Sequence, residues 1–166
     1  MAEYRKIAVS DIENSPNPTT IKKEVDEALD IAAFGFNVYT VKQGEQMPWG
    51  YHYHPSHEEV FYVCSGSITV ETADGTQEVN SGEIFYVPPG SPNRAYNPND
   101  EPARVIAVGA PKDEDDSIIE EYCHNCEAIT ERISEHITDE KGREGYRLLC
   151  AQCNTETNRF FKDDQY

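Results

Sequence analysis

Residues 50–66 read GYHYHPSHEEVFYVCSG, and the spacing of their polar residues decides the fold. His52 and His54 stand two apart in an extended, aromatic-flanked run. Side chains on a strand alternate faces, so both imidazoles point the same way. Pro55 and Ser56 mark a turn. Glu59 then opens a second run, EVFYVC, whose alternation sends Glu59, Phe61 and Val63 to one face. Two imidazoles and a carboxylate converging from adjacent strands form a set suited to a divalent transition metal. A His-x-His pair alone is equally what a polar surface strand carries, so the reading needs a second stretch.

That stretch is GEIFYVPPGSPNRAYN, residues 82–97. Together the two runs resemble the paired motifs of the cupin superfamily. His52, His54, Glu59 and Gly66 fit the first motif, and Gly82, Pro88, Gly90 and Asn97 fit the second. The second motif expects a histidine where this chain has Asn93. The resemblance covers roughly residues 30–111 and implies a barrel with a metal inside its mouth. It makes His52, His54 and Glu59 the ligands there, with Asn93 in the fourth place. An Asn oxygen is a neutral donor, weaker than imidazole for Fe, Ni, Cu or Zn. Fe2+, Mn2+, Ni2+ or Zn2+ are the candidate ions for such a set.

The rest of the chain agrees with a mainly β fold. Short alternating runs recur from Ile31 to Val108, separated by turn signals such as Ala73-Asp74-Gly75 and Pro88-Pro89-Gly90. Such a rhythm calls for an antiparallel barrel or jelly roll; the resemblance specifies the cupin double-stranded β-helix. Before it, Arg5–Val9 reads as a short edge strand. Ile21, Val25 and Leu29 recur at four-residue steps and predict a helix over Thr20–Asp30, capped by Thr19 or Thr20. The expected organisation is residues 1–30 packed on the barrel, 31–111 the barrel, 112–121 an acidic linker, and 122–162 a small module. The acidic run PKDEDDSIIEEY, 111–122, reads as solvated and needs no function.

The module carries two Cys-x-x-Cys pairs, Cys123/Cys126 and Cys150/Cys153. A two-residue gap turns the chain back so that both thiolates reach one metal, and two such knuckles build a tetrahedral S4 site. It resembles a zinc ribbon or rubredoxin-type knuckle pair, so Zn2+ is the expected ion, held structurally. Four thiolates close the coordination sphere and leave no open position for chemistry. Between the knuckles, Ile129, Ile133 and Ile137 fit a helical step as well as a hairpin, and both stay open. His124 is not expected among the ligands, and the fifth cysteine, Cys64, reads as a small core residue.

The 166 residues carry 31 acidic against 14 basic side chains, a net charge of −17. Regular β-patterning argues against disorder; the charge reads as an acidic surface adapted to a salt-rich cytoplasm, as in a halophile, with an ordinary acidic mesophile protein as the alternative. The same charge speaks against nucleic acid, which needs a basic face; from Glu120 onward eleven acidic residues face six basic ones. No apolar run is long enough to span a membrane, and MAEYRKIAVS has no signal-peptide core. The cysteine usage fits a reducing compartment, and the expected location is cytoplasmic.

Two classes of function follow. One is a metal-dependent oxygenase or isomerase acting on a small polar molecule. A cupin followed by a four-cysteine site is similar in architecture to bacterial 3-hydroxyanthranilate dioxygenases, although Asn93 and the first-motif spacing depart from them. The other is a non-catalytic cupin that binds or senses a small ligand, with the ribbon contacting a protein partner. Arg94, beside Asn93, is the cation expected to hold an anionic substrate. His57 is expected on the surface, and Glu58 points outward if Glu59 points in. A homodimer is what the resemblance implies.

Overall fold

The computed structural model describes residues 4–161. Residues 1–3, at the start of the segment scanned for a signal peptide, and residue 162, the expected end of the module, lie outside it. The strands are β1 (Ile21–Glu24), β2 (Gly35–Val41), β3 (Gln46–Tyr53), β4 (Glu58–Ser65), β5 (Ser67–Thr72), β6 (Gly75–Asn80) and β7 (Ile84–Val87). They continue with β8 (Asn93–Tyr96), β9 (Ala103–Ala110), β10 (Ile118–Cys123), β11 (Ala128–Thr138), β12 (Glu144–Cys150) and β13 (Glu156–Phe161). One short helix, α1, spans Val25–Leu29.

Alternation builds the core. Strand β9 buries Ala103, Val105 and Ala107 while Arg104 faces out; β4 buries Phe61 and Val63, and β5 buries Ile68 and Val70. These side chains meet Tyr39, Val41, Met47 and Val79 in one continuous cluster. Burying a residue such as Phe61 contributes about 1.5–3 kcal/mol. Two antiparallel sheets enclose the cluster, ordered β1-β2-β9-β4-β7 and β13-β12-β11-β10-β3-β8-β5-β6. The fold is the mainly β jelly roll that the alternation predicts.

The N-terminal segment departs from expectation. Ile21–Glu24 is a strand, paired from Ile21↔Thr40 to Glu24↔Asn37, and the helix is confined to Val25–Leu29. The open edge of β2 offers backbone partners to this segment, and tertiary pairing overrides the four-step pattern. Asp30, in the left-handed region at φ 52°, ends the helix. The helix is entered from Glu24 with no side-chain cap; the Thr19 hydroxyl instead donates to the Gln46 carbonyl at 2.8 Å and the Thr20 hydroxyl to Glu45. The edge strand expected over Arg5–Val9 does not form, and a 3-10 turn follows at Val9–Asp11.

The four-cysteine segment extends the barrel's own sheet. Strand β10 pairs with β3 through Ile118↔Tyr53 and Ile119↔His52, and β11, β12 and β13 add in turn. The choice left open for Ile129, Ile133 and Ile137 resolves to a strand. Its inward face carries Thr130 and Arg132, while Ile129 and Ile133 are exposed. Arg132 is buried because its guanidinium donates to the carbonyls of Glu121, Tyr122 and Thr130 at 2.9–3.0 Å, tying β11 to β10.

Candidate metal centres and cavity

Strand β3 delivers His52, the residues just after it deliver His54, and β4 delivers Glu59. Glu59 is opposite Gly109 of β9 and Val87 of β7, while His52 is opposite Asn93 of β8. One ligand atom from each of His52, His54 and Glu59 lies within 4.8 Å of the others. His54 Nε2 is 3.6 Å from Glu59 Oε2, and the two imidazoles meet edge-on, centroids 5.2 Å apart.

The register shift between Met47 and His52 re-aims the first imidazole. Gly50 takes φ 103° there, and a side chain at 50 would overlap the Glu121 carboxylate. His52 Nδ1 lies 3.0 Å from the Gly50 carbonyl. A carbonyl only accepts, so Nδ1 carries the proton and Nε2 keeps its lone pair. His54 Nδ1 lies 3.0 Å from Asp115 Oδ1, off the ring's donor direction, so the contact acts through charge rather than as a well-aligned hydrogen bond.

The donors fit a divalent ion. Buried polar groups ordinarily find partners, yet Glu59 Oε2 and both amide atoms of Asn93 are buried with none within the protein. A metal between two imidazoles and a carboxylate supplies a partner of the right charge.

Above this set opens a cavity of about 480 Å³. Lys22, Tyr39, Trp49 and Asp115 line it, together with Ser134 and Tyr146 from the four-cysteine segment. Trp49 packs edge-on against Tyr146 and Phe160, at 5.3 and 5.4 Å. Burial lowers the pKa of His52. Burial acts the same way on His54, but the carboxylates of Asp115 and Glu59 outweigh it and raise that pKa. Burial opposes charge on Lys22 too; Tyr39 and Glu24 overcome it, and its pKa is raised. Tyr39, sealed in the protein, is pushed up to about 12.

Several sequence-based placements change. Arg94 faces away from this cavity, bound to Glu71 at 2.5 Å beside Tyr51 in a separate surface groove; the cation at the cavity is Lys22. Alternation explains it, since Asn93 and Ala95 of β8 take the inward positions. His57 is buried rather than exposed. Its Nδ1 donates to the Pro111 carbonyl at 2.8 Å, and its ring occupies the space a side chain on Gly109 would need. Sequence reasoning missed Asp115, which sits in an acidic run with nothing to single it out.

The second centre is built of sulfur. Cys123, Cys126, Cys150 and Cys153 bring their Sγ atoms within 4.8 Å of one another, with Cys123–Cys153 at 3.7 Å and Cys126–Cys150 at 3.8 Å. A tetrahedron with metal–sulfur bonds of about 2.3 Å has edges of about 3.8 Å, so the set fits one tetrahedral ion. Glu127 and Asn154, each following the second cysteine of its knuckle, take left-handed backbone at φ 53° and 57°. Thr130 Oγ1 lies 3.2 Å from Cys150 Sγ. Hydrogen bonds from Thr155 lower Cys153 to about 5, whereas Cys153 and the other thiols push Cys126 up to about 12. His124 meets Tyr122 edge-on and stays outside the cluster.

A jelly roll with two imidazoles and a carboxylate turned into its mouth is the class these features define. Residues 37–109 match the family described as Cupin domain. Its fold resembles a sugar phosphate isomerase from a cupin superfamily of Silicibacter pomeroyi, at 18% identity and TM-score 0.59, over 93% of this chain and 92% of that one. It also resembles an uncharacterized conserved protein with a double-stranded β-helix domain from Klebsiella pneumoniae, at 23% identity, TM-score 0.56, over 69% and 96% of the two chains. A polyketide cyclase from Streptomyces resistomycificus aligns at 21% identity, TM-score 0.56, over 69% and 84%. At these identities the likeness speaks for the fold. No curated protein matches the sequence. No helix among the described residues is long and apolar enough to cross a membrane.

Proposed function

We propose that this protein is a metal-binding cupin whose His52, His54 and Glu59 hold a divalent ion at the floor of the cavity, where a small polar molecule is bound or converted. The observation that carries this reading is the convergence of three ligand atoms, with Glu59 Oε2 buried and without a hydrogen-bond partner in the protein. Fe2+, Mn2+, Ni2+ and Zn2+ all suit the set. Such an ion polarises a bound carbonyl or hydroxyl oxygen as a Lewis acid.

The chain's own groups define what fits above it. Lys22 is held charged beside Glu24 at 2.6 Å and offers one fixed cation. Ser15, Asn37, Ser117 and Ser134 add neutral hydrogen-bonding groups. A small hydroxylated or carboxylated molecule suits this lining, and a neighbour described as a sugar phosphate isomerase agrees with that class. Zn2+ at Cys123, Cys126, Cys150 and Cys153 serves as the structural ion of the ribbon. A second reading, a binding cupin without chemistry, is favoured by Asn93 standing where the second motif expects histidine.

Metal analysis after anaerobic purification tests the proposal. The expected result is two ions per chain, one lost in Cys150→Ser and the other in His54→Ala. A single ion, lost only with the cysteine, overturns the barrel site and favours the binding reading.

A further inference from the structure

Asp115 lies outside residues 37–109 that match the cupin domain. It is nevertheless brought to the barrel mouth by a segment fixed at both ends. On one side, the Lys112 backbone N–H donates to the Ala33 carbonyl, and its ammonium reaches the Ile31 carbonyl, Asp26 and Glu27 at 2.8–3.1 Å. On the other side, Ile118 and Ile119 pair with Tyr53 and His52 of β3. Between these anchors Asp115 stands at the mouth with its side chain about half exposed (55%). Its Oδ1 stands 3.0 Å from His54 Nδ1 and 3.8 Å from His57 Nε2.

The two candidate metal-binding imidazoles differ in how their far nitrogens are held. His52 Nδ1 is held by a backbone carbonyl, that of Gly50. His54 has Asp115 at the corresponding nitrogen. An imidazole ligand needs its other nitrogen anchored to fix tautomer and ring direction, and a carboxylate there also raises its basicity. With Nδ1 facing Asp115, His54 Nε2 is turned to Glu59.

We propose that Asp115 is a positioning residue for the barrel centre: its negative charge, 3.0 Å from His54 Nδ1, keeps the ring's proton on that nitrogen and leaves Nε2 facing the shared ligand point. The inference rests on the metal-binding reading above. It assigns a task to the segment joining barrel and ribbon, so that this connection completes the site.

The test uses the full chain with its sulfur site loaded with zinc. Mn2+ is titrated and the free ion is followed by its electron spin resonance signal. Asp115→Asn weakens binding by about 10–100-fold, Asp115→Glu restores part of it, and Asp116→Asn, an equal loss of charge one residue away, binds as wild type. In 15N spectra of the metal-free chain, recorded at a pH high enough for His54 to be neutral, His54 is the Nδ1–H tautomer in wild type and a tautomer mixture in Asp115→Asn. Equal Mn2+ affinity in wild type and Asp115→Asn, with an unchanged tautomer, overturns the positioning role alone. A wild-type chain that takes up no Mn2+ overturns the metal reading and this inference with it. Equal loss in Asp115→Asn and Asp116→Asn reduces the effect to net charge and also overturns it.

Discussion

Trp49 of the barrel and Tyr146 of the four-cysteine segment meet edge-on, ring centroids 5.3 Å apart, and both line the cavity above His52 and His54. One wall of the cavity is thus carried by β12, the strand that also bears Cys150 of the four-cysteine cluster. Small metal modules depend on their ion for folding. Trp49 is the sole tryptophan, so its emission reports on this wall. Stripping the sulfur-bound ion with a strong chelator, or Cys150→Ser, shifts that emission to longer wavelength. Unchanged emission with the ion demonstrably gone means the wall stands without it.

His52 and Asn93 face each other across β3 and β8, and both amide atoms of Asn93 lack protein partners. Asn93→His supplies a stronger donor for a transition ion. The barrel affinity for Ni2+ or Zn2+, measured by competition with a chelator, rises about tenfold, roughly 1.4 kcal/mol. An unchanged affinity places the fourth donor elsewhere.

Gly109 makes room for the His57 ring. Gly109→Ala overfills that space and costs about 1–3 kcal/mol of stability, read from urea unfolding. Removing the ring relieves the clash, so Gly109→Ala with His57→Ala is less destabilised than the two single losses together. Strict additivity contradicts the packing described.

A net charge of −17 on 166 residues makes self-repulsion a real term. The screening length falls from about 10 Å in 0.1 M salt to about 3 Å in 1 M. The melting temperature accordingly climbs as KCl is raised from dilute to molar, by about 2–4 °C for each kcal/mol of repulsion relieved. A melting temperature indifferent to KCl removes this account of the acidic surface.

Acidification should empty the barrel before the pH range of an ordinary histidine pair is reached. Asp115 and Glu59 raise the pKa of His54 despite its burial, and a protonated imidazole cannot ligate. The proton therefore competes with the metal from a higher pH. Mn2+ affinity measured against pH checks the sign: it falls as pH is lowered and recovers as His54 deprotonates. A midpoint below that of free histidine contradicts it.

Periodicity and spacing made much of this legible from the chain alone. Alternation in EVFYVC put Glu59, Phe61 and Val63 on one face, and two Cys-x-x-Cys pairs announced a four-sulfur cluster. Both signals are local, because strand geometry and a two-residue knuckle fix relative positions within a few residues. The strand at Ile21–Glu24 was not legible, since its four-step apolar pattern lost to the open edge of β2. Nor could the burial of His57, the turning away of Arg94, or the choice of Asp115 from its acidic run be read in advance. Each depends on which distant backbone closes over it: Gly109 beside His57, Glu71 beside Arg94, β3 beside the strand after Asp115. The sequence by itself determined the donors and the β-rhythm that aims them. Only the tertiary structure decided what surrounds them, because long-range pairing between strands leaves no mark within either strand's own residues.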